Sequence, residues 1–259
     1  MTVYGTQLAL PFTNHPYGVG SVFIIDLLYT LPLLIGVGWA LASRGGGPGQ
    51  AHATACGSAR GSAGGSARGL RVNSVGLAIS TAYLAWGVAA QQHVRQIASA
   101  SLAAQGIRAE SLLVTPTAFN TVLWRVLGVS GDAYHEGFYS LLDKTPQVAF
   151  DAYPRGNALA AELSGVEGVQ RLKGFTKGFF ALREDADRVL ISDLRMGHEP
   201  DYIFTFAVAE KRSAAVPLAV PEQLGRRGDI NCSLSWLGQR IASSAVPPPV
   251  KFCGNSAPQ

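Results

Sequence analysis

Two apolar stretches decide the organisation of this chain: VGSVFIIDLLYTLPLLIGVGWALA at residues 19–42 and VNSVGLAISTAYLAWGVAA at residues 72–90. The first contains one charge, Asp26, and the second contains none. Since a helix rises about 1.5 Å per residue, each is long enough to cross a hydrocarbon layer of about 30 Å. The alternative, two buried helices of a soluble protein, is disfavoured because charge-free runs of this length are uncommon there. The pattern therefore predicts two transmembrane helices.

The composition agrees with a membrane protein. Charged residues make up 15% of the chain, whereas an ordinary soluble domain has about 25%. The mean hydropathy is +0.18, which excludes a disordered or acidic chain. The net charge is +4, but no run of five like charges and no aromatic-basic stripe occurs. We therefore expect the lipid bilayer, and no nucleic acid, as a partner.

The region between the two stretches, residues 43–71, is rich in glycine, serine and alanine and repeats the motif GSARG. This composition predicts a flexible linker. It contains Arg44, Arg60, Arg68 and Arg71 and no acidic residue, so the positive-inside rule places it in the cytoplasm and everything after residue 90 on the other side. In the second stretch Ser74, Ala78 and Ala82 recur every four residues, which predicts a face for close helix packing.

After residue 90 the helical pattern continues to about residue 105, where Gly106 ends it. Two strand-like runs follow, separated by Ser130-Gly131-Asp132, which is a hairpin signal. The fold class predicted is an α-helical membrane region with two transmembrane helices, followed by a small α+β domain with a mainly antiparallel sheet. The predicted divisions are an N-terminal segment with the first span (1–42), the linker (43–71), the second span and its extension (72–105), an extracytoplasmic α+β domain (106–210) and a Pro/Ala-rich, partly disordered tail (211–259).

Several polar residues are candidates for chemistry. A carboxylate inside an apolar span, as at Asp26, marks a functional or paired position unless it is hydrated near the interface. The cluster His198-Glu199-Pro200-Asp201 holds three potential metal ligands, although a turn around a proline is the more common explanation. Asp193 and Arg195 form either a solvated salt bridge or a contact to an anionic group. Cys232 and Cys253 could pair in an oxidising compartment.

Six separated blocks occur in order along the chain: YGTQLALPFT (4–13), SVFIIDLLYTLPLL (21–34), LLVTPTAFNTVLWRVL (112–127), GFYSLLD (137–143), GFTKGFFALRED (174–185) and ISDLRMGHEPDYIFTF (191–206). Together they resemble the YdjM-like family of membrane-bound metal-dependent hydrolases. This resemblance implies a multi-pass protein of the bacterial inner membrane, a histidine- and aspartate-rich site for a divalent metal such as zinc, and hydrolase activity.

The family carries its histidine motifs upstream of the YGTQ block, and this chain begins just before that block. Only Asp26, with Tyr4 and Thr6 as neighbours, would belong to the metal region, whereas a catalytic zinc usually has three protein ligands. We therefore expect that further N-terminal membrane helices, in cis or from a partner or another copy, would be needed to complete the site.

Two functional hypotheses follow. In the first, the chain is the C-terminal portion of a membrane-bound metal-dependent hydrolase. In the second, it is a non-catalytic inner-membrane protein whose extracytoplasmic domain binds a partner or an envelope component.

Overall fold

The computed structural model describes residues 3–44, 62–211, 215–224 and 228–254. A helical region is followed by a region rich in antiparallel sheet. The helical region consists of α1 (Leu27–Arg44) and α2 (Ser62–Ala104). Within the described residues one helical segment, Gly69–Ala104, is long and apolar enough to cross a membrane, and the apolar part of α1, Leu27–Ala42, is shorter.

The first apolar stretch is thus only partly helical, which corrects the prediction of a helix over residues 19–42. The helix begins at Leu27 because Asp26 caps it, accepting hydrogen bonds from the amides of Leu28 and Tyr29 at 3.0 and 3.2 Å. The preceding residues lie against α2 instead, where the buried Gln91 side chain donates to the Val19 carbonyl at 2.9 Å. An amide hydrogen bond thus holds this segment in a non-helical path.

The C-terminal end of the predicted linker, residues 43–71, is helical in the structure. Residues 45–61 lie outside the described residues, whereas residues 62–71 already belong to α2. The two helices pack most closely where a Cβ on Gly76 would lie 2.5 Å from the Pro32 carbonyl oxygen. The predicted packing face was wrong: Ser74, Ala78 and Ala82 are exposed. Small residues recur at four-residue spacing on two faces of α2. The face that packs against α1 is the one that contains Gly76.

The sheet region forms two four-stranded antiparallel sheets and a short hairpin. The first sheet has the order β1-β2-β3-β4, the second has the order β10-β9-β6-β5, and β7 pairs with β8. The strands are β1 (Ser111–Pro116), β2 (Leu123–Ser130), β3 (Ala133–Ser140), β4 (Phe150–Pro154), β5 (Phe180–Asp185), β6 (Arg188–Asp193), β7 (Gly197–His198), β8 (Asp201–Tyr202), β9 (Thr205–Lys211) and β10 (Ala215–Leu224).

Four further helices cover these sheets: α3 (Asn157–Glu162), α4 (Glu167–Phe175), α5 (Ile230–Ala242) and α6 (Pro249–Gly254). The predicted hairpin at residues 130–132 is confirmed, since Ser130 pairs with Ala133 across the β2–β3 turn. Residues 176–179 connect the end of α4 to β5.

The C-terminal half of α2 joins the helical region to the first sheet. Val94, Ile97 and Ala98 are buried in one cluster with Trp124 and Val126 of β2. Gln91 reinforces this junction by donating to the carbonyl of Val114 on β1 at 2.8 Å. A helix that carries the apolar stretch therefore continues directly into the core of the sheet region.

The described part of the C-terminal tail contains one strand and two helices, which the sequence did not predict. β10 pairs with β9, and α5 begins at Asp229, whose carboxylate accepts from the amides of Asn231 and Cys232. Trp236 is buried against Phe138, with ring centroids 4.9 Å apart. The alanine- and proline-rich sequence did not indicate these elements, because the stability of the strand and the helices comes from contacts with distant strands.

Cys232 of α5 and Cys253 of α6 form a disulfide bond. The bond closes the C-terminal segment on itself and holds α6 against α5.

Candidate functional site

Asp26 is buried, with 2% of its surface exposed. Its Oδ1 caps α1, and its Oδ2 accepts a hydrogen bond from the Tyr83 hydroxyl at 2.8 Å. The Tyr83 hydroxyl in turn accepts from Thr121 at 3.2 Å. Of the two possibilities left open by the sequence, the paired position is the one observed. Both carboxylate oxygens are engaged by the protein itself.

Tyr4 and Thr6 do not join Asp26. Thr6 is exposed, and its backbone pairs with Tyr17. The ring of Tyr4 stacks on Phe175 and meets Phe204 edge-on, both at 5.7 Å. Burial, together with the nearby carboxylate of Asp193, raises the pKa of the Tyr4 hydroxyl. The N-terminal segment therefore docks on the second sheet.

Asp193 and Arg195 form a salt bridge. This is the first of the two predicted alternatives, a salt bridge or a contact to an anionic group, but the salt bridge is buried and not solvated. The Nη2 and Nε of Arg195 donate to the Asp193 carboxylate at 2.7 and 3.0 Å, and the two side chains are 4% and 1% exposed. The guanidinium also lies 4.6 Å from the Tyr4 ring and 4.7 Å from the Phe175 ring. Two aromatic faces and one carboxylate thus enclose this arginine.

His198 lies in β7, and the cluster around it forms the turn between β7 and β8. Its Nδ1–H donates to the Glu199 carbonyl at 3.0 Å. Because a carbonyl only accepts, this bond keeps the proton on Nδ1 and leaves Nε2 as an acceptor. The ring lies against Phe138 and Trp236, with centroids 6.5 and 5.9 Å away.

A buried polar network, which no sequence pattern had indicated, links the first sheet to the β7–β8 hairpin. The Nε of Arg125 donates to Glu136 at 2.5 Å, and its Nη2 donates to the Tyr202 hydroxyl at 3.1 Å. The other oxygen of Glu136 accepts from the Glu199 amide at 3.1 Å, and the Tyr134 hydroxyl donates to the Glu199 carboxylate. Although burial lowers the pKa of Arg125, the Glu136 carboxylate raises it above its ordinary value. The sequence feature that could have indicated this network is a charged residue, Arg125, within the apolar run LWRVLGV.

A mostly apolar cavity of about 230 Å³ opens where the start of the helical region meets the sheets and α5. We call it the junction pocket. Most of its lining comes from four parts of the chain that are distant in sequence, and Val3, Gly20, Arg125, Phe138 and Arg195 complete it. These are Val22, Phe23 and Ile24 before α1; Thr115, Pro116, Thr117 and Ala118 at the end of β1; Met196, Gly197, His198 and Ile203 around the β7–β8 hairpin; and Ser233, Leu234, Trp236 and Leu237 of α5.

Four of the six sequence blocks quoted above supply residues of this pocket. Ile24 comes from the second block, Ala118 from the third, Phe138 from the fourth and His198 from the last. These blocks are spread over most of the chain but meet at one place.

The donor set for the implied divalent metal does not fit the described residues. Within residues 3–44, 62–211, 215–224 and 228–254, no three histidine, cysteine, aspartate or glutamate side chains are grouped so that they could hold a metal ion. His198 faces aromatic rings, and Asp26 is engaged by a tyrosine and two amides. The structure therefore supports no reaction step through a metal at these residues.

Comparison with models of protein families, with curated proteins and with solved structures finds no match for this chain.

Proposed function

We propose that this chain is a two-span protein of the bacterial inner membrane and that its sheet region binds the acyl chain of a membrane-derived ligand in the junction pocket. The observation that carries the proposal is the meeting of the start of α1, the sheets and α5 around one apolar cavity. This corresponds to the second hypothesis from the sequence, in which the domain binds an envelope component.

The two helices support the membrane assignment through their surfaces. Leu34 and Ile35 of α1 are each 62% exposed, and Leu77 and Ile79 of α2 are 57% and 52% exposed. Water around such a surface is unfavourable, whereas lipid is not. Because α1 packs along α2, a bilayer that surrounds one helix also surrounds the other. We infer that both helices cross the membrane.

The orientation rests on two observations. The stretch between the two apolar runs, residues 43–71, carries Arg44, Arg60, Arg68 and Arg71, which favours the cytoplasm. The sheet region carries the Cys232–Cys253 disulfide, and such bonds persist in oxidising compartments such as the periplasm. Both observations support our proposal that the sheet region lies on the periplasmic side.

The position of the junction pocket favours an occupant from the bilayer. Phe23 and Ile24 come immediately before α1, so the pocket opens at the level where the chain leaves the membrane. Ile24, Ile203 and Leu234 are each about half exposed, at 52%, 48% and 48%, and they extend the apolar lining to the protein surface. Each methylene buried there contributes about 0.8 kcal/mol. His198 lines this pocket, and its Nε2 can accept a hydrogen bond from a hydroxyl of the head group.

A second candidate function is favoured by the meeting of the resembling blocks at this pocket. In that case the pocket holds the apolar part of the substrate of a membrane-bound metal-dependent hydrolase, and the metal ligands lie outside the described residues. The two candidates share the pocket and differ in the metal. Stoichiometric zinc or manganese that survives dialysis of the purified chain would support the hydrolase, and its loss in His198→Ala would place a ligand in the sheet region.

Photolabelling tests the shared part of the proposal. The full chain is reconstituted in vesicles containing a phosphatidylethanolamine with a diazirine in its acyl chain, irradiated and mapped by mass spectrometry. We expect label on the spans and also on the pocket residues Ile203 and Trp236. Ala118→Phe fills the pocket and should remove the label from those two residues while the spans stay labelled. Ala158→Phe, at an exposed position of α3, is the matched control and should change nothing.

Label confined to the spans of the unmodified chain would overturn the proposal. Label on Ile203 and Trp236 that persists in Ala118→Phe would also contradict it, since the ligand would then lie outside the pocket. The label on the spans reports in every sample that the chain is inserted.

A further inference from the structure

A second cavity, of about 120 Å³, lies between the two sheets. We call it the intersheet cavity. Its polar lining consists of Tyr134, Tyr153, Arg183, Ser192, Glu199 and Tyr202. The exposed Pro154 forms part of its wall, so the cavity reaches the surface. None of these residues lines the junction pocket, and the two cavities are therefore distinct.

Arg183 of β5 is the unusual member of this lining. Its Nε and Nη2 are both buried, and no group of the described residues accepts a hydrogen bond from either atom. Arg183 as a whole is half-buried, whereas the three arginines that are fully buried in the described residues each have a carboxylate partner, namely Glu136 for Arg125, Asp193 for Arg195 and Asp143 for Arg240. A buried donor without an acceptor is unfavourable, and more so when it is charged.

The two unpaired donors lie on the same edge of the guanidinium. The Nε–H and one Nη2–H are parallel and match the two oxygens of a carboxylate. A single acceptor atom satisfies only one of them. The geometry of the donors thus selects a planar ligand group with two neighbouring oxygens.

The rest of the lining limits the charge and the size of the ligand. Tyr134 donates to Glu199, and the rings of Tyr134 and Tyr153 stack with their centroids 5.5 Å apart. Because Glu199 and the nearby Glu136 are acidic, a second negative charge on the ligand would be repelled. One water occupies about 30 Å³ in the liquid. A cavity of about 120 Å³ therefore suits a ligand of about four non-hydrogen atoms.

We propose that the intersheet cavity binds a small monocarboxylate, whose two oxygens accept hydrogen bonds from Nε and Nη2 of Arg183. Acetate and glycine have the appropriate size. Glycine can additionally donate from its ammonium group to the Glu199 carboxylate. This site does not depend on the acyl-chain proposal, since it shares no residue with the junction pocket.

Binding of carbon-13 acetate to the full chain in detergent micelles tests the proposal by NMR line broadening. We expect saturable broadening that unlabelled glycine displaces, whereas inorganic phosphate competes more weakly and methylammonium not at all. Arg183→Lys keeps the charge but loses the parallel donors, and should weaken acetate binding at least tenfold. Arg188→Lys is the matched control. Arg188 lies on β6, next to β5, and forms an exposed ion pair with Glu222 of β10. This variant should bind acetate like the unmodified chain.

A second variant, Arg183→Met, tests the proposal if the Arg183→Lys variant folds poorly. This variant removes the unpaired donors, so it should unfold at a higher temperature than the unmodified chain in acetate-free buffer and should bind no acetate. Broadening that is unchanged in Arg183→Lys, or absent from the unmodified chain, overturns the proposal. A lower unfolding temperature for Arg183→Met in acetate-free buffer also overturns it, because the protein itself would then satisfy the guanidinium.

Discussion

The Asp26 carboxylate accepts a hydrogen bond from the Tyr83 hydroxyl at 2.8 Å, across 57 residues of chain. The same carboxylate caps α1, and Tyr83 also contacts Thr121 in the loop before β2. One buried side chain therefore connects the start of α1, the middle of α2 and the first sheet. This connection gives Asp26 a structural role that needs no metal.

Asp26→Ala should lower the stability of the chain by about 1–3 kcal/mol. The substitution removes a helix cap, worth about 1 kcal/mol, and leaves the Tyr83 hydroxyl without its acceptor. Asp26→Asn retains a capping oxygen and should cost less. Thermal unfolding in detergent, followed by circular dichroism, measures both variants. An unfolding temperature for Asp26→Ala equal to that of the unmodified chain would show that the network contributes nothing.

Gly76→Ala should weaken the packing of α1 on α2. Its Cβ would lie 2.5 Å from the Pro32 carbonyl oxygen, a distance that forces the helices apart. Gly38→Ala is the matched control, because nothing lies within 4 Å of a Cβ at that position. Alanine favours a helix over glycine by up to about 1 kcal/mol, so the control should unfold at the same or a higher temperature. Equal effects of the two substitutions would contradict the packing.

Glu199 should contribute a loss of stability as the pH rises above 4.5. Burial raises the pKa of Glu199 above its ordinary value of 4.5, with Glu136 acting in the same direction and Tyr134, Arg183 and Arg125 opposing it. A carboxyl group with a raised pKa in the folded state stabilises the protein when protonated, below its unfolded pKa. That contribution is lost as pH rises through the folded pKa.

Glu199→Gln should flatten this part of the profile of unfolding temperature against pH. Glu167→Gln, at an exposed salt bridge with Arg171, provides the control and should leave the profile unchanged. A slope above pH 4.5 that is identical in the unmodified chain and in Glu199→Gln would show that Glu199 ionises as readily in the fold as in the unfolded chain.

The disulfide predicts a specific pattern of thiol reactivity. The chain has three cysteines, and two of them, Cys232 and Cys253, are bonded to each other. The denatured protein isolated from membranes should therefore take up one maleimide without reductant and three after reduction, as measured by mass spectrometry. Three labels without reductant would contradict the bond and, with it, one of the two arguments for a periplasmic sheet region.

Reporter fusions test the proposed orientation independently. Alkaline phosphatase, which is active only in the periplasm, should be active when fused after residue 259 and inactive when fused after residue 64. The arginine-rich region and the disulfide both lead to this expectation. High activity at residue 64 would reverse the orientation.

The sequence by itself determined the features that depend on neighbouring residues. Periodicity and turn chemistry act over a few positions, so the hairpin at Ser130-Gly131-Asp132 and the end of α2 before Gly106 were predictable. The charge-free run at residues 72–90 likewise indicated the helix that, among the described residues, is long and apolar enough to span a membrane. The antiparallel character of the sheets followed from the succession of short strands and tight turns.

Only the tertiary structure decided the features that depend on distant partners. Arg125 bonds the carbonyl of Leu194 across 69 residues, and Tyr134 bonds Glu199 across 65. A charged residue in a strand can equally lie at an edge in water, and no local pattern says which acceptor it will meet. The helix α5 likewise depends on Trp236 reaching Phe138. Burial and pairing are set when the sheets come together, so both cavities and the unpaired edge of Arg183 arise at that level.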